Sequence, residues 1–81
     1  MRVDKYIWAI RVLKTRSQAS THCKEGKVKV GQVRVKSSKI LKVGDTVVVR
    51  KGAVHFSFKV LEFPKSRVGA ALVEHYAENV T

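Results

Sequence analysis

Acidic residues, cysteines and long apolar stretches are all scarce in this chain of 81 residues. A single cysteine cannot form an internal disulfide, so we expect Cys23 to be a reduced thiol, as in cytoplasmic proteins. No apolar run approaches the roughly 20 residues of a membrane-spanning helix. The first residues also lack the apolar stretch of a secretory signal. We therefore expect a cytoplasmic protein without a membrane partner, folded as one small domain over residues 1–81.

The scarcity of acids leaves a large positive excess: 17 Lys and Arg stand against 6 Asp and Glu, for a net charge of +11. Residues 1–51 hold the whole excess, with 14 basic and 3 acidic residues, while residues 52–81 hold three of each sign. Like charges on a small body repel, and a polyanionic partner is the usual compensation. The alternatives are a merely solvated surface and, less well supported, a membrane-surface helix, because the basic residues continue into predicted strands.

The first part of the chain favours two helices. Apolar residues at three- and four-residue spacing predict a helix over residues 3–13. A second helix is predicted over residues 16–25, because Thr15 and Gln18 fit a capping box and Gly26 suits the position after the last turn. The side chains of this helix expected to pack inward are Ala19, His22 and Cys23.

Period-two alternation then predicts strands. A hairpin is expected with Gly31 and Gln32 in its turn, and longer strands are expected over residues 46–50 and 54–60. The hairpin side chains predicted to share the face away from its valines are Lys27, Lys29, Arg34 and Lys36. The inward side chains predicted for the last strand are Val54, Phe56, Phe58 and Val60. With a C-terminal helix over residues 68–79, the chain reads as a small α+β domain: two N-terminal helices on a short, mostly antiparallel sheet.

The basic residues are the strongest candidates for a binding site. Arg2, Lys5 and Arg11 are predicted to share a face of the first helix, next to the charges that begin the second helix and those of the hairpin. Such an array matches the phosphates spaced along a nucleic acid, and a helix N-terminus adds free N–H groups. Thr15 and Gln18 are either caps only or caps that also contact a phosphate, since both uses share one geometry.

Other chemistry has little support in the sequence. Trp8 is either covered by another element, such as the C-terminal helix, or stacks on an unpaired base. The histidines and Cys23 lack metal-ligand spacing, and nothing identifiable would activate Cys23 as a nucleophile. The five glycines suit turns and helix ends rather than a phosphate-binding loop. We expect no metal, no cofactor and no enzymatic activity.

Five short runs together carry a resemblance to a known family. They are RVDKYIWAIR at 2–11, KTRSQA at 14–19, GKV at 26–28, KSSK at 36–39 and VGD at 43–45. The pattern resembles the RNA-binding domain of the ribosomal protein S-four type, also called the alpha-L motif. It is most similar to the stand-alone bacterial members typified by heat-shock protein fifteen. The resemblance covers about residues 2–50, which we take as the RNA-binding motif.

The resemblance implies a two-helix and hairpin surface that binds structured ribosomal RNA. It also implies association with a large ribosomal subunit still carrying peptidyl-tRNA from aborted translation, and a role in rescue of that stalled particle. We expect a monomer. The predicted RNA contacts, by motif position and charge, are Arg2, Lys5, Arg11, Lys14, Thr15, Arg16, Ser17, Gln18, Lys24, Lys27, Lys29, Lys36 and Lys39.

Two other interpretations use the same charge. One is a general structured-RNA or DNA-binding module without a ribosomal role. The other is the accessory piece of an RNA-modifying or tRNA-charging enzyme, because this domain also accompanies pseudouridine synthases and tyrosyl-tRNA synthetases. Neither catalytic domain fits in 81 residues, so this chain itself would still act by binding.

Overall fold

The computed structural model describes residues 1–81, with two short helices on one face of a five-stranded antiparallel sheet. The strands lie in the order β2-β1-β3-β4-β5. The predicted α+β fold with two N-terminal helices is confirmed. None of the helices has the length and apolar character needed to cross a membrane. The elements are α1 Val3–Ala9, α2 Arg16–Lys24, β1 Val28–Val30, β2 Val33–Arg34, β3 Thr46–Lys51, β4 Val54–Val60, a 3-10 helix Ala70–His75 and β5 Ala77–Asn79.

Helix α1 ends four residues earlier than the apolar spacing predicts. Arg11 takes a left-handed conformation with φ of 68°, and its N–H donates to the Trp8 carbonyl at 3.0 Å. The N–H of Val12 donates to the Ile7 carbonyl at 3.0 Å, which completes a Schellman closure. Ile10 and Leu13 remain buried although they lie beyond the helix, so their spacing reports burial and not helical continuation.

Helix α2 begins at Arg16, as predicted, and ends at Lys24, one residue earlier than predicted. The Thr15 hydroxyl oxygen accepts from the Gln18 N–H at 3.1 Å, and Gly26 follows the helix with φ of 74°. The Gln18 side chain accepts from the N–H of Lys14 at 3.1 Å, one residue earlier than in a capping box. Ala19 and Cys23 are buried as expected; the predicted inward position of His22 is only half-buried, with its ring Nδ1 2.9 Å from the Gln18 carbonyl oxygen.

The sheet buries its centre under the helices and exposes its ends. Val28 of β1 pairs with Val49 of β3, and both are fully buried in the core. The predicted hairpin is confirmed by the pairing of Val30 with Val33. Val54 lies on the core face of β4, as predicted, but it is 50% exposed because it sits at the far end of that strand. Burial then rises along β4 until Val60 is fully covered.

The predicted C-terminal helix over residues 68–79 is wrong. The chain forms a 3-10 helix over Ala70–His75 and then β5, which pairs with the open edge of β4 through Val60 and Ala77. The Tyr76 carbonyl accepts from the Tyr6 hydroxyl at 2.7 Å, which ties this segment to α1. An open strand edge offers backbone hydrogen bonds that a helix over the same residues would leave unmade.

The left-handed residue after α1 gives a stability prediction. A side chain at positive φ costs about 1–2 kcal/mol, and glycine avoids this cost. We expect Arg11→Gly to be more stable than Arg11→Ala by about 1 kcal/mol in urea unfolding, since both variants lose the same side chain. Equal stability of the two variants would contradict the strained conformation.

Candidate nucleic-acid interface

A buried carboxylate organises the start of α1. Asp4 is 4% exposed, and Arg2 donates to its two oxygens at 3.2 and 3.1 Å. Arg16 at the start of α2 donates to the same carboxylate at 3.4 Å, and the N–H of Lys5 does so at 2.7 Å. The side chains of Arg2 and Arg16 stay 48% and 45% exposed. One acid therefore holds two guanidinium groups in place while further N–H groups remain open to a ligand.

The loop that precedes Leu41 packs against the start of α1, next to Arg2 and Asp4. The N–H of Val3 donates to the Lys39 carbonyl at 2.8 Å, and the N–H of Asp4 donates to the Ser37 carbonyl at 3.3 Å. These bonds use free N–H groups of the first turn of α1, so that end of the helix is already occupied by protein. They also place the predicted contacts Lys36 and Lys39 on a segment that is tied to the start of α1.

An open cleft of about 390 Å³ lies between α2 and this loop. Two ammonium groups and three hydroxyls border it, while Cys23 and Val35 contribute apolar surface. This combination suits a nucleotide, which presents an anionic phosphate next to a flat, weakly polar base. The polar side chains that line the cleft are Ser20, Lys24, Lys36, Ser37 and Ser38.

The start of α2 is compatible with both roles considered for Thr15 and Gln18, which are capping alone and capping together with a phosphate contact. The oxygen of Thr15 accepts from the Gln18 N–H, so its own O–H remains free to donate. The Gln18 side chain uses its carbonyl oxygen on Lys14, which leaves its NH2 group free. The capping role is confirmed, and the exposed Ser17 lies beside it. Contact of these groups with RNA stays a prediction.

The predicted face shared by Arg2, Lys5 and Arg11 does not form. Arg11 lies beyond the end of α1, and its guanidinium is 3.4 Å from the carbonyl oxygen of Val68. Its left-handed backbone takes it off the helical spacing on which the prediction depended. Arg11 therefore lies at the opposite end of α1 from Arg2. Lys5 is half-buried.

Cationic side chains also bind backbone carbonyl groups at the C-terminal end of α1. The ammonium of Lys51 donates to the Val12 carbonyl at 3.1 Å, and Arg67 donates to the carbonyls of Trp8 and Leu13 at 3.3 and 3.4 Å. The guanidinium of Arg67 lies 5.9 Å from the centre of the Trp8 ring. Trp8 is half-buried against the core. The predicted cover was a C-terminal helix, whereas the residue that packs over the ring is Arg67, which precedes the 3-10 helix.

The exposed Lys14 is part of neither the Asp4 cluster at the start of α1 nor the group of cations at its C-terminal end. With Gln18, His22 and Lys51 it borders an open cleft of about 330 Å³ between the two helices and the turn after β3. Its ammonium makes no ion pair within the chain. Lys14 is therefore available for a phosphate on the same side of α2 as Gln18.

The hairpin lysines separate into two groups, contrary to the prediction of one shared face. Lys36 borders the cleft beside α2, whereas Lys27 and Lys29 border another cleft with Arg34. The reason is that β2 ends at Arg34, so the alternation stops before Lys36. The second cleft is also bordered by Arg50 and His55, which were not among the predicted contacts. The available signal was their alternation with apolar residues, with Val49 before Arg50 and with Val54 and Phe56 on either side of His55.

Cys23 is a poor candidate for reactivity. It is buried, and burial together with the negative charge of Asp4 raises its thiol pKa from 9.0 to about 11. A thiol that stays protonated is neither a good nucleophile nor a ready metal ligand. No three His, Cys, Asp or Glu side chains come together in an arrangement that could hold a metal ion.

The raised thiol pKa predicts a pH dependence. In the unfolded chain the thiol ionises near pH 9, while the folded chain keeps its proton to about pH 11. The thiol contribution to the free energy of unfolding is therefore present below pH 9 and is lost as pH rises towards 11. We expect urea unfolding at several pH values to show a fall over this interval that is shallower in Cys23→Ala. Identical pH profiles would contradict the burial of the thiol.

The central carboxylate gives a second prediction. Asp4→Asn keeps the size of the side chain but leaves two guanidinium groups without their counter-charge. We expect the free energy of unfolding to fall by about 1–3 kcal/mol, measured by urea unfolding, and RNA affinity to fall with it.

The matched control is Asp45→Asn, where the acid accepts one backbone N–H from Lys42 in an exposed turn. An amide oxygen can accept the same bond, so this variant should change both quantities little. Equal losses of RNA affinity from the two variants would show that Asp4 does not organise the surface.

Comparisons with known proteins agree with this geometry. A family model described as the S4 domain matches residues 1–47. The heat shock protein 15 homolog of Haemophilus influenzae is 39% identical over 70 residues, which make up 86% of this chain and 53% of that protein. The RQC P-site tRNA stabilizing factor of Streptococcus pneumoniae is 41% identical over 66 residues, or 82% of this chain and 75% of that protein.

A solved structure is similar over nearly the whole chain. The trimeric structure of heat shock protein 15 from Vibrio cholerae has a TM-score of 0.91 at 30% identity, covering 99% of this chain and 81% of the other. The similarity therefore extends beyond the family match into β4, the 3-10 helix and β5. The chain spans about half the length of the Haemophilus relative.

Proposed function

Because the chain belongs to the S4 domain family, we propose that it binds structured RNA of the large ribosomal subunit, in particles that carry stalled peptidyl-tRNA. The family resemblance drawn from the sequence motifs is confirmed by the match over residues 1–47. We further propose that residues 2–50 are the RNA-binding motif, that the chain acts by binding without catalysis, and that it works in the cytoplasm, where such particles occur.

One observation carries the proposal: Arg2 at the N-cap of α1 and Arg16 at the start of α2 are fixed on the buried carboxylate of Asp4. The N–H of Asp4 in turn bonds to the carbonyl of Ser37, which borders the cleft of about 390 Å³. Flexible charges would bind any RNA, since phosphate contacts carry no sequence information. A fixed arrangement of cations instead selects backbone segments that only a folded RNA brings together. The surface defined by Arg2, Arg16, Lys24, Lys36 and Lys39 is called the helical face below.

The relatives support the choice of particle. One relative that is 41% identical is named for stabilising tRNA in the ribosomal P site, and three-quarters of its length is covered by this chain. For this chain, we infer a role in keeping the tRNA and the large subunit together while the stalled product is processed.

The decisive experiment is a competition pull-down at fixed salt with three particles: large subunits bearing peptidyl-tRNA, empty large subunits and intact ribosomes. We expect recovery of the first particle to exceed the second, and little recovery of the third. Equal recovery of all three would leave general RNA binding and remove the stalled-particle role. Preference for duplex DNA over all three would favour a DNA-binding module.

A single substitution tests the helical face. Arg16→Gln removes one guanidinium, while Arg2 still donates two bonds to Asp4 and keeps that acid paired. A charged hydrogen bond to phosphate contributes about 1.5–3 kcal/mol, so we expect large-subunit affinity to fall about tenfold or more. Filter binding over a salt series should also show a shallower slope of log K against log salt.

Lys65→Gln is the matched control, because it removes one exposed charge from the segment between β4 and the 3-10 helix, outside the helical face. It should leave affinity close to that of the unsubstituted chain. An equal loss from Arg16→Gln and Lys65→Gln would mean that net charge, and not the fixed surface, determines binding.

A further inference from the structure

The face of the sheet that points away from the helices is open and strongly basic. In a strand, alternate side chains point to opposite faces, and Val28, Val47 and Val49 fill the helix side. Lys29 and Arg50 therefore point to the other side, and both are exposed. A shallow cleft on this face is bordered by Gly26, Lys27, Lys29, Arg34, Val48, Arg50 and His55.

The register places the side chains of this face in two rows. Lys29 lies directly opposite Arg34 on β2, and Arg50 lies directly opposite His55 on β4. Neighbours across strands are about 5 Å apart, and successive outward residues along a strand are about 7 Å apart. The middle of this face is low because it carries the shorter side chains of Val48 and Ser57. These two residues pair with each other, and Val48 lies opposite Lys29. We call the surface formed by Lys27, Lys29, Arg34, Arg50 and His55 the open sheet face.

The open sheet face has almost no compensating charge. Lys29, Arg34 and Arg50 form no ion pair in the chain, and only Lys27 is paired, with Glu25 at 3.0 Å. Like charges directly opposite each other on a sheet are destabilising. The cross-strand pair of Lys29 and Arg34 therefore weakens the hairpin, and a bound polyanion would reverse that effect.

The cationic side chains of this face also make few hydrogen bonds within the protein. Lys29 and Arg34 donate no side-chain hydrogen bond, and Arg50 donates one, to the Gly52 carbonyl at 3.0 Å. This differs from Lys51 and Arg67, which close the end of α1. The remaining N–H groups of Lys29, Arg34 and Arg50 are consequently free for an external acceptor.

We propose that the open sheet face is a second RNA-backbone site, independent of the helical face, so that one chain holds two RNA segments at once. The partner is RNA because the spaced cations match a repeating phosphate charge, while the low, nearly featureless floor offers no deep pocket for a base. The two faces lie on opposite sides of β1, since Val28 belongs to the core that also contains Ala19 and Cys23 of α2, while Lys29 points away. This inference rests on the proposed function and deepens it: a chain that keeps a tRNA and the large subunit together needs a contact with each RNA, and the open sheet face supplies the second.

The test is the number of short RNA hairpins bound per chain, measured by native mass spectrometry. We expect two hairpins for the unsubstituted chain and one for Lys29→Gln/Arg50→Gln, in which the helical face is intact. Lys24→Gln/Lys36→Gln, altered only on the helical face, should also bind one. The control Lys42→Gln/Lys65→Gln removes the same charge from exposed positions outside both faces, and should still bind two.

One hairpin on the unsubstituted chain, or two on Lys29→Gln/Arg50→Gln, would overturn the second site. Displacement of the second hairpin by a polyglutamate peptide at equal charge concentration would also overturn it, in favour of an acidic protein partner. The result is separable from the proposed function. A chain that binds two hairpins but ignores large subunits would keep the second site and remove the ribosomal role, and the reverse outcome is equally distinguishable.

Discussion

The carboxylate of Asp4 is the interaction on which the N-terminal half depends. It is buried where α1 and α2 meet, and it binds the guanidinium groups of Arg2 and Arg16. A buried carboxylate without partners would be strongly unfavourable. Both arginines therefore bind Asp4 when the chain folds, and their placement does not depend on a ligand. The consequence is a cationic surface whose geometry exists before RNA arrives, and less ordering is then needed on binding.

Charge is distributed over this small body by two different devices. On the helical face, arginines are fixed by an acid, and nearby lysines are carried on a loop whose carbonyls bond to the start of α1. On the open sheet face, strand pairing alone sets the spacing of the cations, and opposite charge is nearly absent. The first device favours recognition of shape, whereas the second favours attraction to any phosphate backbone. A protein that joins two RNAs would use both.

Much of the fold was predictable because it depends on local rules. The cap at Thr15, the glycine after α2 and the Gly31 turn each follow from the conformational preferences of single residues. The exposure of Val54, and the end of the C-terminal helix at His75 before β5, were not predicted, for a different reason. Burial of a strand end depends on what lies above it, and the C-terminal segment is a strand because β4 has a free edge for it. Neither fact is present in the local sequence.

The candidate site divides in the same way. From sequence alone came the identity of the cations, their concentration in residues 1–51 and the family resemblance, because charge and motifs are properties of the chain itself. Tertiary structure alone placed Asp4 between Arg2 and Arg16, moved Arg11 to the far end of α1 and put Lys36 and Lys29 in different clefts. Composition determines how much charge the protein carries. Packing and strand register determine which charges share a surface, since these depend on residues far apart in the chain.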